Sequence, residues 1–252
     1  MIYSRHLEKS IYLENALFDR CYAQNKDIMK FIVIGLGYFG STLAISLTEQ
    51  GHEVIGIDNR YERIDELKNQ INNVMEMDTT NENAVKTLPL NDTDAVIVAI
   101  GEDVGSSILT LSILKKLGAE NIVGRIISPM HKSILNQIGI NNTVHPESET
   151  AMMISLQLQV KNALKITEID DENVIVEFKV PQKYVTHTLE TANLESRFKL
   201  KTIAVKSMEK KGLLSREQVR TTLSPAGDYI FRENDVIVVA GLLDNMKKFA
   251  SE

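Results

Sequence analysis

Apolar residues follow two alternating patterns along residues 29–145. Short unbroken apolar runs, such as residues 31–34 and 95–100, are typical of strands that are covered on both faces of a sheet. Longer segments between these runs carry apolar residues at helical spacing, as at Ile108, Leu111 and Leu114. The pattern predicts six strands at 31–34, 53–57, 74–77, 94–100, 121–127 and 142–145, separated by helices at 41–49, 60–70, 81–88, 104–117 and 129–138.

Strands that alternate with helices form parallel βαβ units with right-handed crossovers. We therefore predict an α/β fold with a doubly wound parallel sheet for residues 29–147. The pattern then changes. A helix rich in Met and Leu is predicted at 148–163, and strands follow at 174–180, 201–205 and 235–240. We interpret residues 148–164 as a linking or crossover helix and residues 165–252 as a small α+β domain.

Residues 1–28 are polar and uneven, and the character of the chain changes abruptly at Met29, where a strand-like segment begins. We predict that residues 1–28 are an N-terminal extension that lies upstream of the fold. The alternative is an ordinary N-terminal helix that docks on the body of the protein.

Composition narrows the class of protein. The 252 residues carry 28 basic and 34 acidic side chains, a net charge of -6, which argues against a nucleic-acid partner because such binding requires a basic face. The longest apolar run, residues 236–243, is far shorter than a membrane span. A single cysteine excludes an intramolecular disulfide, and no secretion signal is visible. These features predict a cytoplasmic protein.

The strongest motif is Gly35-Leu-Gly37-Tyr-Phe-Gly40, which follows the first strand, while Asp58 ends the second. This spacing is typical of a Rossmann-like nucleotide site. Gly35 permits a tight turn, Gly37 lets phosphates approach the backbone, and Gly40 lets the helix pack closely on the strand. The helix N-terminus offers free N–H groups to phosphates. The alternative is a turn whose glycines serve packing only.

Other polar residues follow the same edge of the sheet. Asp58 is expected to accept hydrogen bonds from ribose hydroxyls and to repel a 2′-phosphate, which disfavours NADP. Asp78 either reaches the adenine amino group or orders the loop; the alternative is an N-cap for the helix that begins near Thr80. We interpret Glu102 and Asp103 as charges at a helix N-terminus. The candidate ligand-binding residues are Gly35, Gly37, Tyr38, Phe39, Gly40, Asp58, Asn59, Asp78, Thr79, Gly101 and Arg125.

A catalytic set is not evident. The Tyr-x-x-x-Lys pattern of short-chain reductases occurs only at Tyr22–Lys26, before the first strand, and the five histidines lack the spacing of a triad or a metal site. The sequence therefore predicts a nucleotide site without a reaction to run, in a protein that is not an enzyme.

The residues that carry these motifs resemble a known family. Segments 33–40, 51–58, 77–80, 94–101 and 145–147 are similar to the N-terminal RCK domain (regulator of potassium conductance, or TrkA-N domain), and segments 223–225 and 230–241 are similar to the RCK C-terminal domain. A chain with both domains and no membrane span resembles the cytoplasmic gating subunits of Trk/Ktr potassium uptake systems.

The resemblance implies regulation. Such subunits form dimers that assemble into a ring beneath a membrane potassium transporter of the TrkH/KtrB type, and binding of ATP, ADP, NAD or NADH changes transport. Glu147 matches a family glutamate that helps to hold a divalent cation; the alternative is a carboxylate at a helix start. Tyr38 departs from the family, whose Ktr members often carry Arg there. The alternatives to an uptake subunit are an NAD-dependent oxidoreductase and the RCK gating module of a channel.

Overall fold

The computed structural model describes residues 28–210 and 217–251. Contacts within the chain divide it into two compact units, with the boundary between Pro146 and Glu147. The predicted extension at 1–28 lies, except for Ile28, outside the described residues. None of the described helices has both the length and the apolar character that crossing a membrane requires.

The first unit is a six-stranded parallel sheet with helices on both faces, in the order β3-β2-β1-β4-β5-β6. This is the doubly wound arrangement that the alternating pattern predicted. Its elements are β1 (Lys30–Ile34), α1 (Tyr38–Glu49), β2 (Glu53–Asp58), α2 (Tyr61–Leu67), β3 (Asn73–Glu76), α3 (Glu82–Val85), a 3₁₀ turn (Leu90–Asp92), β4 (Ala95–Val98), α4 (Val104–Lys116), β5 (Ile122–Arg125), α5 (Pro129–Gln137) and β6 (Thr143–Val144).

The central strand β1 divides the apolar core of this unit into two layers. Ile32 and Ile34 point into one buried cluster, and Val33 points into another on the opposite face. Because β1 pairs with β2 on one side and β4 on the other, the chain order reverses between β1 and β4. Open α/β sheets bind ligands at such a reversal, beyond the carboxyl ends of the strands.

Helix α1 begins at Tyr38, three residues before the start that the apolar spacing predicted. The prediction missed the first turn because that turn carries a glycine and two aromatic residues and only one of its side chains, that of Phe39, packs on the core. Gly40 in this turn lies buried against the carbonyl oxygen of Gly35, a contact that only a residue without a side chain allows.

The second unit is an α+β fold built on an antiparallel sheet in the order β10-β9-β11-β8-β7. Phe178 and Phe198 pack edge to face on Phe249 in its core. Its elements are α6 (Pro146–Gln159), β7 (Ala163–Glu168), β8 (Asn173–Lys179), a 3₁₀ turn (Gln182–Tyr184), α7 (Leu189–Ala192), α8 (Leu194–Phe198), β9 (Lys201–Lys210), β10 (Glu217–Leu223), β11 (Val236–Leu242) and α9 (Leu243–Ala250).

The C-terminal boundary of α6 differs from the prediction. The helix ends at Gln159, and β7 begins at Ala163, so the helix predicted through residue 163 is too long. The role of residues 148–164 as a linking segment stays a prediction. Val160 is buried in the core of the second unit, and Asn162 adopts a left-handed backbone that reverses the chain. The sequence also missed β10, because its polar residues owe their strand conformation to pairing with β9.

Candidate functional site

The turn after β1 is hydrogen-bonded to the end of β2. Gly35 has a φ of 90°, a conformation that glycine adopts without strain, and its N–H donates to the carbonyl of Ile57 at 2.7 Å. The next N–H, that of Leu36, donates to the Oδ2 atom of Asp58 at 2.7 Å. The glycine turn is therefore tied to the end of β2 by two short hydrogen bonds.

Gly37 and Gly40 serve different purposes. Gly37 is the N-cap residue of α1, and a Cβ atom built on it would meet no other atom within 4 Å. A Cβ atom on Gly40 would overlap the carbonyl oxygen of Gly35. Gly40 is thus required for close packing, whereas Gly37 keeps open the space in front of the helix N-terminus, where anions are favoured.

A crevice of about 510 Å³ lies at this edge of the first unit, a size typical of small-molecule sites. It is lined by residues at or just beyond the carboxyl ends of β1, β2, β3, β4 and β5. Nine of the predicted residues line it: Gly35, Gly37, Tyr38, Asp58, Asn59, Asp78, Thr79, Gly101 and Arg125. Phe39 and Gly40 are not among the lining residues; Phe39 packs on the apolar cluster beneath the sheet, and Gly40 is buried.

Asp58 is the buried carboxylate of the crevice. Its oxygens accept hydrogen bonds from the backbone N–H groups of Leu36 and Arg60, and from the Nε and Nη2 atoms of Arg60 at 3.0 and 3.3 Å. Burial opposes ionisation and raises the pKa of Asp58, but the bonds from Arg60 and Leu36 outweigh it and hold the pKa below the ordinary value. The carboxylate therefore stays charged.

Asp78 and Thr79 follow β3. The Oδ1 atom of Asp78 accepts from the N–H and the hydroxyl of Thr80, at 2.9 and 2.7 Å, and these bonds lower the pKa of Asp78. The side chain that caps α3 is that of Asn81, so the capping alternative for Asp78 is wrong. The hydroxyl of Thr79 is buried and bonds that of Thr110 at 2.9 Å, which fixes the loop to α4.

Arg125, the last residue of β5, lines the crevice. Its Nη1 atom donates to the carbonyl of Ala99 at 3.4 Å, and its guanidinium lies 5.6 Å from the ring centre of Phe39. A Cβ atom on Gly101 would lie 2.7 Å from the same Nη1 atom. The Arg125 guanidinium therefore fills the space beside Gly101, and the role of Gly101 in ligand binding stays a prediction.

The two acidic residues before α4 have separate partners. Asp103 is the N-cap residue of α4 and accepts from the backbone and the hydroxyl of Ser106, as the sequence suggested. Glu102 is exposed and lies 3.5 Å from the Nη1 atom of Arg60. Glu102 therefore joins the ion pair that Arg60 forms with Asp58.

Glu147, the predicted metal ligand, lies in the first turn of α6 in the second unit and is not among the lining residues of the crevice. Within residues 28–210 and 217–251, no three His, Cys, Asp or Glu residues are placed to hold a metal together. The role of Glu147 stays a prediction.

Sequence reasoning missed Arg60, Thr80 and Ser106, which also line the crevice. Arg60 could have been found, because a residue two positions after the acidic end of β2 lies beside the ribose site of a Rossmann fold. Thr80 and Ser106 give no such signal, since hydroxyl residues at loop ends usually serve as local caps.

The parallel sheet and the crevice at its carboxyl edge identify the first unit as a Rossmann-type domain, the type of domain that binds nucleotides in this place. A second, α+β domain follows it. Residues 31–146 match the TrkA-N domain family. The Ktr system potassium uptake protein C of Bacillus subtilis is 30% identical over 220 residues, which cover 87% of this chain and 95% of the relative. Protein A of the same system and organism is 30% identical over 88% of this chain and 96% of its own. The chain belongs to this family of Ktr system potassium uptake proteins.

Among solved structures, the GsuK channel bound to NAD has the same fold, with a TM-score of 0.58 at 15% identity, over 90% of this chain and 40% of the channel chain. The crystal structure of the GsuK RCK domain agrees, with a TM-score of 0.58 at 16% identity over 90% of this chain and 48% of that one. These structures share the fold, and the TrkA-N match with the two Ktr relatives confirms the resemblance to RCK proteins of potassium transport.

Proposed function

We propose that the chain is the nucleotide-binding regulatory subunit of a potassium uptake system. The observation that carries the proposal is the crevice itself, in which the N-terminus of α1, kept open at Gly37, faces the same space as Asp58 and Arg125. A helix N-terminus and a guanidinium attract phosphates, and a carboxylate at the end of β2 binds ribose hydroxyls.

The ligand that fits this arrangement is an adenine nucleotide, either NAD or NADH, or ATP or ADP. Its phosphates would lie at Gly37 near Arg125, and its adenosine end would lie near Asp58, Asn59 and Asp78. The GsuK channel, which shares the fold, has been solved bound to NAD. A divalent cation beside the terminal phosphate, held in part by Glu147, belongs to the same proposal.

Regulation suits the site better than catalysis does. The charged residues of the crevice include an ion pair and a helix cap, and no histidine, cysteine or lysine is among its lining residues. Its buried carboxylate is held in the ionised form. A group that stays charged at neutral pH is a poor general acid. Ligand binding would then act by stabilising one conformation of an assembly over another.

The proposed partner is a membrane potassium transporter of the TrkH/KtrB type, which would hold the chain at the cytoplasmic face of the membrane. Proposed self-association into dimers and a ring is supported by α6, on which Ile154 and Leu158 lie one turn apart and are 47% and 82% exposed. Apolar side chains exposed together on one helix face are typical of a surface that another subunit covers.

A binding titration of the purified chain with ATP, ADP, NAD and NADH tests the proposal directly. We expect saturable binding of at least one of these nucleotides and a change in potassium flux when the chain and its transporter are reconstituted in liposomes. Steady oxidation of NADH with a panel of carbonyl substrates would instead favour an oxidoreductase. Absence of binding by all four nucleotides would contradict the proposal.

A further inference from the structure

The carboxylate that is expected to bind ribose already accepts its full number of hydrogen bonds within the protein. An ionised carboxylate has about four lone-pair positions for hydrogen bonds. Asp58 accepts four: the N–H groups of Leu36 and Arg60, which belong to the backbone, and the Nε and Nη2 atoms of the Arg60 side chain. The backbone donors are fixed by the fold, so only the guanidinium of Arg60 can give way to a ligand.

Arg60 is placed to exchange partners. Its side chain is 41% exposed and lines the crevice, and its Nη1 atom lies 3.5 Å from the Oε2 atom of Glu102 beyond β4. The guanidinium therefore has a carboxylate on each of two loops that border the crevice. Because Arg60 is 41% exposed, its guanidinium regains water when it leaves Asp58, and the hydroxyls of a bound ribose replace its bonds to the buried carboxylate.

The sequence alone predicted that Asp58 would repel a 2′-phosphate. The structure changes this expectation, because Arg60 places a cation beside Asp58 and offsets the charge of that carboxylate, while the exposed Glu102 lies 3.5 Å from the same guanidinium. The guanidinium fork also matches the geometry of a phosphate, and an arginine near the ribose site is the general means by which Rossmann folds accept a 2′-phosphate.

We propose that Arg60 is the specificity-determining residue for the ribose 2′ position, competing with a 2′-hydroxyl for Asp58 and pairing directly with a 2′-phosphate. The inference rests on the proposed nucleotide site and adds the chemical class of ligand to it. The crevice accordingly takes adenine nucleotides that carry a 2′-phosphate, and it discriminates against them far less than a lone Asp58 would.

The test compares ligands that differ only in the 2′-phosphate: AMP with adenosine 2′,5′-bisphosphate, and NADH with NADPH. Affinities are measured for the parent and for Arg60→Gln, which keeps a polar side chain but removes the charge. We expect the substitution to strengthen the binding of AMP and NADH about two- to fivefold, because the competitor for Asp58 is gone. We expect it to weaken the binding of adenosine 2′,5′-bisphosphate and NADPH about tenfold.

Three further variants sharpen the test. Arg63→Gln is the matched control, since Arg63 lies on α2, pairs with Glu66 and does not line the crevice, and it should leave both ligand ratios unchanged. Arg60→Lys should recover only part of the 2′-phosphate affinity, because an ammonium lacks the guanidinium fork. Glu102→Gln should strengthen 2′-phosphate binding, and it keeps the inference testable if Arg60→Gln lowers stability.

The outcomes separate this inference from the proposed function. If the parent binds nucleotides but Arg60→Gln shifts both members of each pair equally, or Glu102→Gln leaves 2′-phosphate binding unchanged, Arg60 has no part in specificity and only this inference is overturned. If neither the parent nor any variant binds a nucleotide, the proposed function and the inference fall together. Opposite shifts within each pair, absent in Arg63→Gln, support the inference.

Discussion

The carbonyl oxygen of Gly35 occupies the space that a side chain on Gly40 would need. This relationship fixes how closely α1 approaches the end of β1. It also brings the helix N-terminus, at Gly37, to the mouth of the crevice. The roles of Gly40 and Gly37 can therefore be separated by experiment, because the space beside Gly40 is filled by backbone and that beside Gly37 is open.

Gly40→Ala should lower the free energy of unfolding by about 3 kcal/mol or more, since the new methyl group can be accommodated only by moving backbone. Gly37→Val should lower it by only about 0.5–1 kcal/mol, because a Cβ atom there meets nothing and φ is an ordinary -64°, so that the cost is that of a poorer N-cap residue. Chemical denaturation of both variants measures the difference.

The same Gly37→Val variant should weaken nucleotide binding by at least about tenfold, because its side chain fills the approach to the helix N-terminus. Nucleotide titration beside the denaturation curves is the measurement. A variant that is stable and still binds at the parent's affinity would show that the glycine loop is only a turn.

Asp58→Ala should destabilise the first unit by about 1–3 kcal/mol, because the buried N–H of Leu36 loses its acceptor and cannot reach water. The native pKa of Asp58 lies below its ordinary value, so its contribution is present at neutral pH and is lost as the pH falls through the native pKa. The stability gap between parent and variant, measured by urea denaturation, should therefore shrink in acid. A constant gap would show that hydrogen bonding to the ionised form is not the cause.

The burial of His131 predicts a second way in which the stability of the protein depends on pH. It is buried on α5, neither ring nitrogen has a hydrogen-bond partner within the part of the chain that the structure describes, and burial lowers its pKa from 6.5. As the pH falls through about 6.5, the unfolded chain takes up a proton that the folded chain does not, so stability should decrease.

His131→Leu should reduce the loss of stability at low pH. It should leave stability at pH 7 unchanged or higher, because it removes two polar atoms without partners. Met130→Leu, at the exposed neighbouring position, is the control and should keep the parent's slope. Thermal unfolding from pH 5 to 8 gives the comparison. An unchanged slope in His131→Leu would assign the dependence to another group.

Helix α6 predicts the assembly state. The double substitution Ile154→Glu and Leu158→Glu should dissociate the proposed oligomer, because each new charge would have to be buried in the subunit interface. Gln159→Glu, an exposed polar position on the same helix, should leave assembly intact. Light scattering after size exclusion gives the mass of each variant. A parent that is monomeric at micromolar concentration would contradict the ring proposal.

The sequence by itself determined the order of strands and helices in the first unit, because fully covered strands must be apolar throughout and their helices carry apolar residues at a different period. It also determined the glycine turn and Asp58, since few residue types tolerate a left-handed turn before a helix. The second unit was predicted less well. The strand β10 is polar, and its conformation depends on pairing with β9, a contact that no local pattern records.

Only the tertiary structure decided what the site residues do. Asp78 and Thr79 were both predicted to bind the ligand and both line the crevice, but the hydroxyl of Thr79 is buried against that of Thr110, whereas Asp78 is exposed and accepts from Thr80. The saturation of Asp58 by Arg60 was equally hidden. Local spacing shows that a charge is present, but its partners depend on how separate strand ends meet in space, and those partners decide which ligand the charge can still bind.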